Sequence, residues 1–185
     1  MNIPNLLTLT RIVLVPVIVI LLIEASFFKA MIVFIIAGIT DGLDGFLARI
    51  LNQKTVLGAY LDPLADKALI IASFVTLSVL GVVPGWLSVI VISRDCIIIV
   101  GISVLVLMDV SFNVRPTFLS KVTTVFQLLT IFMVMVFLGL SIKFENHTID
   151  DIMYWLTALF TVASGFNYIV IGVRMMNSTS PAERH

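Results

Sequence analysis

Residues 41–66 read D-G-L-D-G-F-L-A-R-I-L-N-Q-K-T-V-L-G-A-Y-L-D-P-L-A-D, an acidic stretch inside a strongly apolar chain. It places four aspartates at the facing ends of two apolar segments: Asp41, Asp44, Asp62 and Asp66. A carboxylate at membrane depth is costly, so it marks a functional site by default. Four converging carboxylates would repel one another and partly protonate unless cations joined them. The stretch therefore predicts two helices that meet at an acidic, cation-binding cluster.

The composition of the chain is that of a membrane protein. Of its 185 residues, 60% are hydrophobic, and the mean hydropathy is +1.17, whereas soluble domains contain roughly 45–50% apolar residues. The net charge is zero, and no basic block suggests a nucleic-acid partner. The single cysteine, Cys96, excludes a disulfide within the chain and a cysteine-based zinc site. With only two histidines, His147 and His185, histidine-based metal chemistry is not expected.

Six apolar stretches follow one another along the chain, and each is close to the 20 or so residues that a spanning helix needs. They cover residues 5–24, 27–49, 59–80, 86–108, 120–142 and 150–175. The sequence therefore predicts an all-α integral membrane protein with six transmembrane helices. It forms one domain over residues 1–177, and the polar residues 178–185 are expected to be a disordered tail.

The distribution of lysine and arginine predicts the orientation. With the N-terminus inside, the cytoplasmic side carries six cations: Arg49, Lys54, Arg115, Lys121, Arg174 and Arg184. The other side carries two: Lys29 and Lys143. This excess places both termini in the cytoplasm. The first apolar run continues into Glu24 without a cleavage site of small residues, which favours direct insertion into a bacterial cytoplasmic (inner) membrane.

The spacing of the aspartates places each pair on one helix face. Asp41 and Asp44 are three residues apart, and Asp62 and Asp66 are four apart. The hairpin between the two segments brings both pairs to the same membrane depth. Oxygen-only ligands suit hard cations that share a site with substrate phosphates. We therefore expect two Mg²⁺ or Mn²⁺ ions at this cluster.

The residues between the acids fit a nucleotide. Gly45 and Ala48 lie on the face of the first aspartate pair, where small side chains allow a flat group to approach the backbone. Arg49 supplies a planar donor fork for a phosphate or a base edge, and Gly58 permits a second close approach. Each residue also has a plainer interpretation, because small residues are common at helix contacts in membranes and arginines anchor helix ends. Asp62, which precedes a proline, could cap a helix.

The pattern D-x2-D-G-x2-A-R-x8-G-x3-D-x3-D is matched at every position of residues 41–66. It resembles the signature of the CDP-alcohol phosphatidyltransferase family. The resemblance implies six transmembrane helices, a homodimer, and a site for CDP-diacylglycerol and divalent cations. It implies that Asp41, Asp44 and Asp62 bind metal, and that Asp66 binds metal or acts as the catalytic base. It also implies cytidine diphosphate contacts at four positions: Gly45, Ala48, Arg49 and Gly58.

The N-terminal stretch N-I-P-N-L-L-T-L-T-R resembles the opening of the glycerol-type branch of this family. Asn5, Thr8 and Arg11 are spaced three residues apart and share roughly one helix face. They could help to hold the nucleotide. The alternative is that they cap the helix and anchor it at the interface.

The basic residues outside the motif are candidates for binding the acceptor. Arg94 lies inside the fourth apolar stretch beside Asp95, so it either pairs with an acid or binds a substrate phosphate. Arg115 and Lys121 flank the tract R-P-T-F-L-S-K at the cytoplasmic mouth. They either bind the acceptor or anchor the protein at the membrane surface.

Several tracts, V-I-S-R-D and S-K-V-T-T among them, resemble the branch that joins CDP-diacylglycerol to phosphatidylglycerol and forms cardiolipin. The branch that uses glycerol 3-phosphate often has a second lysine where this chain has Thr123. The missing lysine favours phosphatidylglycerol as the acceptor, with glycerol 3-phosphate as the alternative. A remote alternative is a divalent-cation transporter whose aspartates line an ion path, but the acids cluster at one end of the helices.

Overall fold

The computed structural model describes residues 3–50, 56–107, 117–141 and 148–178. Within these ranges the chain forms six α-helices and no strand. They are α1 Ile3–Ile23, α2 Phe27–Ile50, α3 Val56–Val79, α4 Gly85–Leu107, α5 Phe118–Gly139 and α6 Thr148–Ser178. The prediction of an all-α chain with six helices is confirmed, and every helix begins and ends within three residues of the predicted bounds.

A left-handed glycine ends α3 where the sequence predicts a turn. Gly81 has φ +71°, and its N–H donates to the carbonyl of Ser78 at 3.0 Å. The next residue, Val82, donates to the carbonyl of Leu77 at 3.0 Å. A glycine in this conformation after a helix is the usual C-terminal cap, because it satisfies carbonyls left without partners. The cap therefore fixes the end of α3 before the chain enters α4.

In the part of the chain that the structure describes, three segments have the length and apolar composition to cross a membrane. They are Gly85–Val104 in α4, Phe118–Gly139 in α5 and Ile149–Met175 in α6. A shorter apolar segment, Thr8–Ile23, lies in α1. The chain is an integral membrane protein.

The chain folds into two compact units. The first consists of Met1–Gly85 and Leu128–His147, and the second of Trp86–Gln127 and Thr148–His185. Helix α5 therefore contributes to both. The prediction of a single domain over residues 1–177 stays a prediction, and the predicted tail lies outside the described residues from position 179 onward.

In the first unit, α1 packs against both α2 and α3. The most deeply buried side chains of its core include Ile18 and Leu22 from α1, Ala30 and Ala37 from α2, and Phe74 from α3, each no more than 1% exposed. Small alanines on α2 let the helices approach closely. Because α1 contacts both neighbours, a single side chain of α1 can reach residues of α2 and α3.

In the second unit, polar side chains join α5 to α6. Thr123 and Gln127 of α5 are fully buried. The Oγ1 of Thr123 donates to the carbonyl of Phe160 at 2.9 Å, and the Nε2 of Gln127 donates to the Oγ1 of Thr161 at 3.3 Å. The rings of Phe126 and Phe160 stack with centroids 4.6 Å apart. Such hydrogen bonds hold helices together in a membrane, where the hydrophobic effect does not drive their association.

Gly139 ends α5 against the start of α2. A Cβ at this position would lie 2.9 Å from both the Cα and the N of Phe28. We expect Gly139→Ala to lower the free energy of unfolding by about 1–3 kcal/mol, because two backbone segments must move apart. Thermal unfolding of the purified protein in detergent measures this. In the control Gly172→Ala the new Cβ has no atom within 4 Å, and an equal loss of stability in both variants would contradict the packing argument.

Candidate active site

Two of the motif carboxylates meet at one guanidinium. The Nη1 of Arg11 on α1 lies 2.7 Å from the Oδ1 of Asp41 on α2, and it also donates to the Oδ1 of Asp66 on α3. The side chain of Arg11 is 1% exposed, whereas those of Asp41 and Asp66 are 52% and 43% exposed. The guanidinium therefore lies buried beneath two partly exposed carboxylates, which together form an acidic site.

The packing of α1 explains this arrangement. A buried cation must be paired, because removing its charge from water costs several kcal/mol. Helix α1 contacts both α2 and α3, and it carries Arg11 to the place where one aspartate of each motif pair can neutralise it. The sequence suggests Arg11 only as a nucleotide contact or an interfacial anchor. One feature of the sequence points to this pairing. Arg11 is a cation inside an apolar helix, and the acidic residues that could neutralise it are clustered in residues 41–66.

The remaining motif residues occupy the same two helices. The backbone of α2 carries Asp44, Gly45, Ala48 and Arg49, and that of α3 carries Gly58 and Asp62. Their side chains lie outside the described residues, as does that of Asn5 on α1. Their metal and nucleotide roles stay predictions. Thr8, one turn before Arg11, is buried with 1% of its surface exposed.

The donors at this site fit a hard divalent cation. Asp41 and Asp66 offer carboxylate oxygens that lie within hydrogen-bond distance of one nitrogen, and both side chains are partly exposed. Mg²⁺ and Mn²⁺ prefer such oxygens and bind together with substrate phosphates. Among the side chains that the structure describes, no group of three acidic, histidine or cysteine residues forms a metal site. Two of the four predicted ligands, Asp44 and Asp62, are outside that set.

A second polar cluster lies in the other unit. Arg94 on α4 is 3% exposed, and its Nη1 donates to the Oδ1 of Asp95 at 2.6 Å. Its Nη2 donates to the Oγ of Ser120 on α5 at 2.6 Å and to the Oγ of Ser164 on α6 at 2.9 Å. The guanidinium carbon also lies 5.8 Å from the ring centroid of Tyr168, within cation–π range. The acid partner that the sequence suggests is present, and binding of a substrate phosphate by Arg94 stays a prediction.

The other two acceptor candidates differ in what the structure describes. Lys121 is exposed in the first turn of α5. Arg115 lies outside the described residues. Neither role is tested by the geometry.

Most of the chain matches one family of known proteins. The pattern of the family described as CDP-alcohol phosphatidyltransferase matches residues 1–163. The chain belongs to this family. Family membership accounts for the complete motif of residues 41–66, and the resemblance noted in the sequence is confirmed.

Family members with different names are similar to the chain. A CMP-forming cardiolipin synthase of Rattus norvegicus is 38% identical, over 92% of this chain and 61% of the relative. A CDP-diacylglycerol–glycerol-3-phosphate 3-phosphatidyltransferase of Bacillus subtilis is 32% identical, over 90% of this chain and 93% of the relative. A probable phosphatidylglycerophosphate synthase of Mycobacterium tuberculosis is 33% identical, over 94% of this chain and 82% of the relative. The chain spans about three fifths of the length of the mammalian cardiolipin synthases that it matches.

Proposed function

We propose that the protein transfers a phosphatidyl group from CDP-diacylglycerol to a glycerol-type acceptor and releases CMP. The observation that carries this proposal is the meeting of Asp41 and Asp66, from two helices, over the buried Arg11. It occurs in a chain that retains every position of the family motif. An exposed acidic site on a buried cationic floor suits a metal-assisted transfer between phosphate esters.

The preferred acceptor is phosphatidylglycerol, which makes cardiolipin the product. Support comes from the 38% identity to cardiolipin synthases over 92% of the chain and from Thr123 in place of a lysine. That threonine is buried and bonded to α6, so it leaves no cation at this position for a dianionic phosphate. Glycerol 3-phosphate is the alternative acceptor, since relatives named for that acceptor or for phosphatidylglycerophosphate are 28–33% identical over nine tenths or more of the chain. A further relative named for that acceptor is 47% identical over 52% of the chain.

Asp66 is the proposed general base. Its carboxylate accepts the proton of the acceptor hydroxyl while the hydroxyl oxygen attacks the phosphorus that carries the diacylglycerol. The P–O bond to CMP then breaks, and CMP leaves with the electron pair. Arg11 orients the carboxylate of Asp66 through its Nη1. This contact holds the base at the junction of α1 and α3 during the reaction.

The four motif aspartates are the proposed ligands of two Mg²⁺ or Mn²⁺ ions: Asp41, Asp44, Asp62 and Asp66. The family is in general dependent on a divalent metal. When bound, the ions would neutralise the diphosphate and stabilise the leaving oxygen. The proposed cytidine diphosphate contacts are Asn5, Thr8, Gly45, Ala48, Arg49 and Gly58. The proposed acceptor contacts are Arg94, Arg115 and Lys121.

We further propose six spans, both termini in the cytoplasm, a homodimer, and a bacterial cytoplasmic membrane as the location. The lysine and arginine distribution supports the orientation, and the dimer rests on the family resemblance. Relatives come from bacteria and from mammals. A cysteine placed at position 185 should resist a membrane-impermeant thiol reagent in intact cells. Labelling at that position before lysis would show that the C-terminus lies outside and would contradict the proposed orientation.

Purified full-length protein tests the activity. With CDP-diacylglycerol, Mg²⁺ and phosphatidylglycerol, we expect release of CMP and a product with the mass of cardiolipin. Exhaustive chelation should lower the rate by more than about 100-fold, and added Mg²⁺ or Mn²⁺ should restore it, because the ions stabilise the transition state by several kcal/mol. A rate unchanged by chelation would contradict the metal proposal. Cation flux into liposomes without CMP release would favour the transporter.

A further inference from the structure

Arg11 is a buried cation beneath carboxylates that we propose to bind metal ions. Its side chain is 1% exposed, whereas those of Asp41 and Asp66 are 52% and 43% exposed. Arginine is always charged in proteins, so this positive charge is permanent. A ligand that arrives from outside meets the two carboxylates first, and Arg11 acts on that ligand through them and through its charge.

The packing of α1 keeps the guanidinium in this position. Four residues that follow one another at one or two helical turns are each no more than 1% exposed: Thr8, Arg11, Ile18 and Leu22. They form one buried face of α1, and within the first unit α1 packs against α2 and α3. The arginine could leave only if this packing opened. We therefore expect it to stay beneath the carboxylates when a metal ion is bound.

In the absence of metal, the charge of Arg11 holds two helices together at the site. Asp41 on α2 and Asp66 on α3 both contact the Nη1 of Arg11 through their Oδ1 atoms. Two carboxylates brought this close would otherwise repel each other. Arg11 thus neutralises part of the charge that a divalent ion would neutralise, and an ion held by these carboxylates would share its ligands with Arg11.

The formal charges of the proposed site show the consequence for its ligands. The four proposed aspartate ligands carry four negative charges, and two divalent ions carry four positive charges, so the two sets cancel. Arg11 adds one positive charge that remains when the ions are bound. This charge repels the divalent ions and attracts an anionic diphosphate.

We propose that Arg11 is a positioning residue that shifts the ligand preference of the site: it weakens the binding of Mg²⁺ or Mn²⁺ and strengthens the binding of the diphosphate of CDP-diacylglycerol. The inference rests on the proposed function, which supplies both ligands. It adds opposite effects on the two ligands, produced by one buried side chain. Replacing a residue with a merely structural role would weaken the binding of both.

Removing the charge of Arg11 tests the inference. Arg11→Met keeps an unbranched side chain in the buried position and deletes the positive charge. Binding of Mn²⁺ to the purified full-length protein without substrate, followed by electron paramagnetic resonance, should become about ten-fold tighter or more. At saturating Mn²⁺, the Kd of labelled CDP-diacylglycerol should rise about three-fold or more. Arg11→Lys keeps the charge and should return both constants towards their wild-type values.

The matched control is Arg174→Met, which makes the same substitution at an exposed arginine of α6 in the second unit. It should leave both constants unchanged, because salt screens a charge that is exposed to solvent. Thermal unfolding gives an independent measurement: Mn²⁺ should raise the melting temperature of Arg11→Met by more than that of the wild type, since tighter binding stabilises the folded state more. If Arg11→Met does not fold, Arg11→Gln removes the charge while keeping a hydrogen-bond donor, and the same results are expected of it.

The outcomes separate the inference from the proposed function. Unchanged Mn²⁺ binding in the variants without the charge would overturn the inference. Weaker binding of both ligands would also overturn it and assign Arg11 a structural role, and so would an absence of Mn²⁺ binding in wild type and variants alike. If Arg11→Met binds Mn²⁺ more tightly and CDP-diacylglycerol more weakly but the wild type releases no CMP with any acceptor, phosphatidyl transfer fails and the role of Arg11 stands.

Discussion

Asp66→Asn is expected to lower the rate of CMP release by about 10²–10⁴-fold, the range that a positioned general base supplies. Asparagine has nearly the same shape but cannot accept the proton of the acceptor hydroxyl. Binding of CDP-diacylglycerol should fall much less, because Asp41 stays beside Arg11 and the nucleotide contacts are unchanged. Initial rates and equilibrium binding of labelled CDP-diacylglycerol, measured on the same preparation, test the two parts separately.

The control for this variant is Asp151→Asn, which makes the same chemical change at an exposed aspartate in the first turn of α6. It should retain the wild-type rate. The melting temperature of Asp66→Asn has to remain close to that of the wild type. A loss of turnover can then be assigned to the missing base and not to unfolding. Normal turnover by Asp66→Asn would remove the base assignment. An equal loss of binding and turnover would limit Asp66 to a metal-ligand role.

Asp95→Asn is expected to destabilise the protein by about 3–5 kcal/mol, because the substitution leaves a buried guanidinium without its counter-charge. Asp95 is 2% exposed and Arg94 is 3% exposed. Ser120 and Ser164 would remain bonded to the Nη2 of Arg94, but neutral hydroxyls do not balance its charge. Thermal or denaturant unfolding in detergent measures the loss.

The double variant Arg94→Met with Asp95→Leu separates charge from packing. Replacing a buried ion pair by apolar side chains of similar volume is often neutral or stabilising, so this protein should unfold near the wild-type temperature. If both the single and the double variant were equally unstable, packing rather than the unpaired charge would be the cause. A wild-type melting temperature for Asp95→Asn would show that the pair contributes nothing measurable.

The sequence is sufficient for the helices because their lengths and apolar content leave few alternatives in lipid. The meeting of Asp41 and Asp66 is also predictable. Asp41 lies nine residues before the end of α2 and Asp66 ten residues after the start of α3, so consecutive helices that run in opposite directions bring them to one depth. The role of Arg11 is not. Helical spacing predicts which residues share a face of α1, but it does not predict which neighbouring helix that face contacts.

Arg94 shows the same limit. Adjacent residues on a helix do not normally face each other, so the sequence leaves open whether the neighbouring Asp95 is the partner. In the structure the side chains meet through the Nη1 of Arg94, and the other nitrogen bonds to serines that are 26 and 70 residues away. Such long-range pairing depends on how α4, α5 and α6 pack within the second unit. No spacing rule within one helix contains that information.

The acidic motif has two halves, the Asp41–Asp44 pair on α2 and the Asp62–Asp66 pair on α3. Because Asp41 and Asp66 share one guanidinium nitrogen, these halves are thermodynamically coupled. Asp41 belongs to the first half and Asp66 to the second, yet both interact with the Nη1 of Arg11. Groups with a common partner do not contribute additively, so a substitution in one half alters the electrostatic surroundings of the other. Asp41 and Asp66 therefore behave as one unit with Arg11 of α1, and neither carboxylate has an independent free-energy value.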